Sequence, residues 1–136
     1  MTPAERTRKW REDNPERSRD NIARHQAIRK LKGPEGRRNE NLKYRYNIDL
    51  SIEAEMISDQ GGVCKICGAT APSQGAKMNK HWLVDHDHSC CPGTRSCGKC
   101  VRGLLCSKCN VALGGFNDNP DLLEKAAQYI RLHRVG

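Results

Sequence analysis

The chain has 136 residues, a formal net charge of +8 and a pI near 9.2, and only 4% of it is aromatic. That is enough for one domain and an extension, with too little bulky apolar material for a core that rests on packing alone. No apolar run is long enough to cross a bilayer and no apolar leader opens the chain, so the expected compartment is a reducing cytoplasm and the charge favours a polyanionic partner.

Residues 1–50 hold 14 Lys/Arg against 8 Asp/Glu, so most of the positive excess falls in an N-terminal extension and the domain is expected over 51–136. Asn14 precedes Pro15 and Glu16, an N-cap with a proline-led first turn. The segment through Ile22, Ala27, Ile28 and Leu31 then predicts a helix that stops at Gly33-Pro34. Residues 37–46, RRNENLKYRY, predict a second basic helix whose tyrosines either pack or stack on bases. Ser51 is positioned to cap a short helix with Ile52, Met56 and Ile57 on its apolar face and Gly61-Gly62 at its end.

Pro72, Ser73, Gln74 and Gly75 predict a loop. HWLVD (81–85) and VRGLLC (101–106) predict two short strands around a Cys/Gly/Pro loop, together a hairpin with a long structured tip. SKCNVALGG (107–115) predicts a helix of about two turns. Asn119-Pro120 opens a last helix in which Leu122, Leu123, Ala126, Ala127 and Ile130 recur at helical spacing, as expected of a packing element.

Eight cysteines take the place of the missing core. Cys64-x-x-Cys67 and Cys106-x-x-Cys109 are knuckles that bring thiolates to adjacent corners of a tetrahedron, and two of them close a four-sulfur zinc site. Such a site supplies on the order of 10 kcal/mol of folding free energy. The gap of about 38 residues between the knuckles is wide for one finger and implies an insert with a function of its own. Within it, Cys90, Cys91, Cys97 and Cys100 predict a second zinc at the hairpin tip, with a disulfide among them, or a mixed site using His88, as the alternatives.

The first strand leads into LVDHDH. In extended backbone Asp85 and Asp87 face one side, His86 and His88 the other. Asp85 is a hard oxygen donor suited to Mg²⁺ or Mn²⁺, and Asn110 offers a neutral oxygen from the following helix. His86, neutral near pH 7, can take a proton from an attacking water, and Arg102 in the second strand can bind a neighbouring phosphate.

The run GVCKIC, LVDHDH, VRGLLCSKCNVALG, from Gly62 to Gly114, resembles the phage recombination endonuclease VII family, a branch of the His-Asn-His (His-Me finger) nucleases with a ββα-metal fold. The resemblance covers about 50 residues. It implies an α+β, zinc-stabilised ββα-metal core flanked by N-terminal basic helices and a C-terminal helix. By resemblance Cys64, Cys67, Cys106 and Cys109 hold the structural zinc, Asp85 and Asn110 the catalytic cation, His86 is the general base, and His88 assists at the phosphate or the metal.

The expected activity is metal-dependent hydrolysis of phosphodiester bonds in duplex or branched DNA, by a phage-encoded protein in the host bacterial cytoplasm. The family prototype is an intertwined dimer, which brings a homodimer among the expected partners. Two features depart from the prototype: Leu113 stands where it has an acidic residue, and it lacks the cluster from Cys90 to Cys100. The alternative class is a catalytically inert zinc module that binds nucleic acid.

Overall fold

The computed structural model describes residues 1–73 and 80–135, so the expected loop positions Gln74 and Gly75 lie outside the described residues. Helix α1 (Pro3–Asp13) is started by a signal the sequence reading passed over: the Thr2 side chain accepts from the Glu5 N–H at 3.2 Å, while the Glu5 carboxylate receives the Thr2 N–H at 2.6 Å. This reciprocal cap satisfies two donors left open by the first turn. Helix α2 (Pro15–Tyr46) is interrupted at Gly33, whose φ of 66° and ψ of −179° are not helical. The expected stop at Gly33-Pro34 is thus present, as a break between two helical stretches. Pro34, with its preset φ, restarts the helix and carries it through the second predicted segment. Lys32 pairs with Glu40, and Arg37 Nη1 donates to the Arg29 carbonyl at 3.0 Å, tying the two stretches together across the break.

Two units divide the chain, Met1–Glu40 and Asn41–Gly136. No residue of the first is buried. In the second, Leu42, Ile48, Val84 and Leu104 form the main core, with Tyr46, Leu50, Met56, Ile57, Trp82 and Val101 packed against it. The expectation put the division at residue 50, whereas 41–50 travels with the second unit because Leu42 is fully buried there.

Helix α3 (Leu50–Asp59) is capped by Asp49, not Ser51: Asp49 Oδ1 accepts from the Ile52 N–H at 3.0 Å. Met56 and Ile57 pack on the core while Ile52 is exposed, and the helix gives way to Gly61 and Gly62, both left-handed. Strands β1 (Leu83–His86) and β2 (Val101–Leu105) pair antiparallel, with Leu83 opposite Leu105, Val84 opposite Leu104, Asp85 opposite Gly103 and His86 opposite Val101. The register skips Arg102, a bulge that leaves this residue unpaired and twists the ribbon locally. On the outer edge of β2 the Gln60 side chain stands in for a third strand, accepting from the Leu104 N–H and donating to its carbonyl, both at 2.9 Å.

Helix α4 (Ser107–Gly115) begins directly after β2 with Cys106 as its cap, and packs on β1. A tight turn through Asn117 and Asp118, both at positive φ, leads to α5 (Pro120–Leu132), capped by Asn119 Oδ1. The packing role expected of α5 is met in part, with Leu123, Ala126 and Ala127 half-buried. None of its residues is buried, and Leu122, Tyr129, Ile130 and Leu132 are exposed. The second unit is thus a mixed α+β domain built on a two-stranded sheet, with a small apolar core and two groups of four cysteines.

Candidate active site and metal centres

The two predicted knuckles meet. The sulfurs of Cys64, Cys67, Cys106 and Cys109 lie within 4.8 Å of one another, with Cys67 and Cys106 3.7 Å apart. Tetrahedral Zn–S bonds of about 2.3 Å put corner sulfurs roughly 3.8 Å apart, so this spacing suits a metal and is far too long for a disulfide of about 2.05 Å. All eight cysteines are free thiols. The first knuckle closes through Cys64 N–H to the Ala69 carbonyl and Gly68 N–H to the Cys64 carbonyl, with Gly68 left-handed at φ 73°.

Burial of Cys64 opposes its ionisation, but backbone N–H groups of Cys106, Cys67 and Ile66 aim at its sulfur and hold the thiol down to about 6. Cys109 goes the other way, pushed up to about 12 by burial and by the sulfurs of Cys106, Cys67 and Cys64. One thiolate forms readily and the next resist it, an opposition that a divalent cation cancels.

Cys90, Cys91, Cys97 and Cys100 form a second tetrad, also with all sulfurs within 4.8 Å. Its edges measure 3.9 Å (Cys90–Cys97), 4.0 Å (Cys90–Cys91) and 3.8 Å (Cys97–Cys100). The same split recurs: backbone N–H groups of Lys99 and Cys100 lower Cys97 to about 7, while the sulfurs of Cys100, Cys97 and Cys91 push Cys90 up to about 12. Both groups have the donor set and spacing to hold zinc. The disulfide alternative does not fit, since all four are free thiols, and neither does the mixed site, since the four sulfurs gather without a His88 ring nitrogen among them.

A cleft of about 340 Å³ has walls that include Asp85, His86, His88 and Asn110, with Tyr46, Thr94 and Asp118 beside them. The face alternation expected of DHDH does not hold here. The strand ends at His86 next to the bulge, so Asp85 and His86 reach the same cleft. Asp87 turns away from it, and its Oδ1 accepts from the Ser89 N–H at 2.8 Å. His86 is 5% exposed, and its Nε2 lies 3.0 Å from the Cys91 carbonyl and 3.2 Å from that of Gly93. Two carbonyl acceptors require a proton on Nε2, which leaves Nδ1 as the acceptor nitrogen of the neutral ring. The His86 and His88 rings sit 4.5 Å apart, tilted by 46°.

Arg102 is not free for a phosphate as expected. Its Nε and Nη2 donate to both oxygens of Asp85 at 2.7 and 2.9 Å, and Nη2 also reaches Asp118 Oδ2 at 3.2 Å. The bulge at this position turns the guanidinium toward two acids, and its bond to Asp85 raises its affinity for its proton further. Asp118, which the sequence reading missed, is the junction of this network. Burial alone would raise its carboxyl, but the His88 hydrogen bond and the nearby Arg102 charge outweigh it and bring it below the usual carboxylate range. Its only sequence signal was the FNDNP turn, which reads as a helix boundary.

The chain matches the profile of the recombination endonuclease VII family over residues 39–132. It therefore belongs to that family. It is also similar to the Gene 59 protein of Mycobacterium phage D29, with 37% identity over 73 residues, covering 53% of this chain and 36% of that relative; the chain thus spans about a third of the relative's length. No solved structure matches with significance. Among the described residues, no helix is long and apolar enough to cross a membrane.

Proposed function

We propose that this protein is a DNA endonuclease of the His-Me finger type, hydrolysing phosphodiester bonds in duplex or branched DNA with a divalent cation. The observation that carries the reading is the convergence of Asp85, His86, His88 and Asn110 on one cleft in a chain of the endonuclease VII family. The succession β1, β2, α4 around a cysteine tetrad suits a ββα-metal core.

Asp85 and Asn110 are the oxygen donors that would hold Mg²⁺ or Mn²⁺. Bound there, the cation would stabilise charge on the departing oxygen. His86 Nδ1 takes a proton from water as the water oxygen bonds to phosphorus; one P–O ester bond breaks and the departing oxygen is protonated from solvent. A base positioned in this way contributes roughly 10² to 10⁴ in rate. His88, steadied at Nδ1 by Asp118, keeps Nε2 for a phosphate oxygen. The basic N-terminal helices add contacts to the DNA backbone that are independent of sequence and weaken with salt.

A second reading, a zinc module that binds nucleic acid without cutting it, is favoured by one observation: both oxygens of Asp85 already accept from Arg102. A carboxylate has about four lone-pair sites, so a bidentate arginine leaves room for a cation alongside it. Plasmid nicking in Mg²⁺ separates the two. The nuclease reading expects nicking by the wild type, and its loss with DNA binding retained in His86→Ala. A wild type that binds DNA yet cuts under neither Mg²⁺ nor Mn²⁺ supports the inert module.

A further inference from the structure

The loop from Asp87 to Cys100 has no helix or strand and no buried residue, so apolar packing does not fix its path. Its four thiols gather within 4.8 Å of one another. The loop is also pinned from outside. The Ser96 N–H donates to the Arg45 carbonyl at 2.7 Å and the Asn47 side chain donates to the Cys97 carbonyl at 3.0 Å. Gly98 comes so close that an added Cβ would lie 2.8 Å from the Asn47 carbonyl oxygen. Arg95 donates to the Tyr44 carbonyl at 3.1 Å with its guanidinium 4.0 Å above the Tyr44 ring, and the Asp87 N–H closes the base of the loop on the Cys100 carbonyl at 2.9 Å. The inward face of this framework presents two carbonyls, of Cys91 and Gly93, to one atom: Nε2 of His86.

We propose that the loop closed by Cys90, Cys91, Cys97 and Cys100, with a zinc ion bound to the four sulfurs, is a positioning clamp for the His86 imidazole, holding the proton on Nε2 and Nδ1 open toward the cleft. The inference rests on the reading of His86 as the base. It gives the second tetrad a task that the fold does not. The core clusters are made by Leu42, Ile48, Val84 and Leu104 and by Cys64, Leu105 and Cys106, none of which lies in the loop. Cross-linking the loop instead sets where two carbonyl oxygens sit. A shift of either would free the ring to rotate or to carry its proton on the other nitrogen, which in the neutral form cannot then accept one from water.

The test uses the full-length chain with its zinc. In ¹⁵N-labelled wild type, the long-range ring correlations of neutral His86 are expected to show the proton on Nε2; a ring protonated mainly on Nδ1 overturns the proposal without any variant. In the double variant Cys97→Ala/Cys100→Ala, bound zinc is expected to fall from two ions per chain to one. The His86 ring should become a mixture of tautomers, and kcat for plasmid nicking should drop roughly 10²-fold while KM changes less than about twofold. Cys97→His, which keeps a metal-binding side chain, is expected to retain two zinc ions and recover most of the rate. Loss of one zinc with tautomer and kcat unchanged overturns the clamp. Unfolding of the double variant overturns it too, since the tetrad would then serve the fold at large. The ring spectrum does not depend on cleavage, so a wild type that never cuts refutes the nuclease reading while leaving the clamp open to the same spectrum.

Discussion

Cys64, Cys67, Cys106 and Cys109 tie the chain together at its interior, whereas Cys90, Cys91, Cys97 and Cys100 tie a surface loop to itself. In the first tetrad Cys64 and Cys106 are buried and share a cluster with Leu105, and Cys106 is at once ligand candidate, the residue that follows β2 and the cap of α4. In the second Cys90 and Cys97 are exposed and Cys91 and Cys100 half-buried, in a loop whose Cys91 and Gly93 carbonyls face His86. On the proposed reading the same four-sulfur chemistry serves two ends. Where a small domain has few apolar side chains, a cross-link can replace a core; where a reacting group sits beside a loop with no core of its own, a cross-link can replace the packing that would hold that loop still.

The contrast is broken most severely at the first tetrad. Cys64→Ser removes a sulfur that receives the Cys106 N–H at 3.3 Å, and with it a site worth on the order of 10 kcal/mol of folding free energy. The expected outcome is an unfolded second unit in far-ultraviolet circular dichroism; a cooperative melt close to that of wild type would mean that the sulfurs are not the chief support. Next in size is Leu104→Ala. This residue is fully buried in a core cluster of four residues, and truncation there is expected to cost about 2–5 kcal/mol in denaturant unfolding. A cost under about 1 kcal/mol would show that the cysteines carry the domain without its core.

Gly98→Ala sharpens the comparison from the other side. Gly98 sits at φ 88° against the Asn47 carbonyl, so a methyl group is both in an unfavourable backbone region and in collision with rigid backbone. The expected loss is about 1–3 kcal/mol, read as faster amide exchange in residues 87–100 with the sheet protected as before. Equal loosening of β1 and β2 would contradict the separation of the two regions.

The smallest expected effect is at Asp118. Its folded-state carboxyl titrates below the unfolded one, so its contribution to stability is fully present above the unfolded value and is lost as pH falls through the lower folded value. Asp118→Asn should therefore flatten part of the acid limb of the stability profile and leave its shape between pH 5 and 8 unchanged. A new slope near neutrality would contradict the placing of this carboxylate's effect on the acid limb.

Residue spacing carried much of this architecture, and its limits are physical. Two Cys-x-x-Cys pairs announce a shared metal because geometry leaves few other uses for them, and the tetrads assembled as their spacing implied. Helix starts were readable where proline sets φ, as at Pro15 and Pro120, and could have been read at Thr2 from the glutamate three residues on. Ser51 lost the capping role to Asp49 because cap candidates two residues apart look alike until the helix axis is fixed.

What sequence could not carry were contacts made across the chain. Arg102 turned to Asp85 through a bulge that alternation rules do not contain, and Asp118 entered the cleft from a turn whose left-handed backbone is visible only in three dimensions. The carbonyls of Cys91 and Gly93 have no side-chain signature at all, since any residue presents one.

The division of labour between the tetrads is tested most directly by stripping zinc stepwise from wild-type protein with a thiol-binding mercurial, following released zinc, circular dichroism and plasmid nicking in the same samples. The account predicts that the first zinc to leave comes from the exposed tetrad and takes nicking with it while the helical signal stays, and that the second takes the fold. Release of both ions in one step together with the fold, or nicking that survives until the second ion is gone, would contradict it.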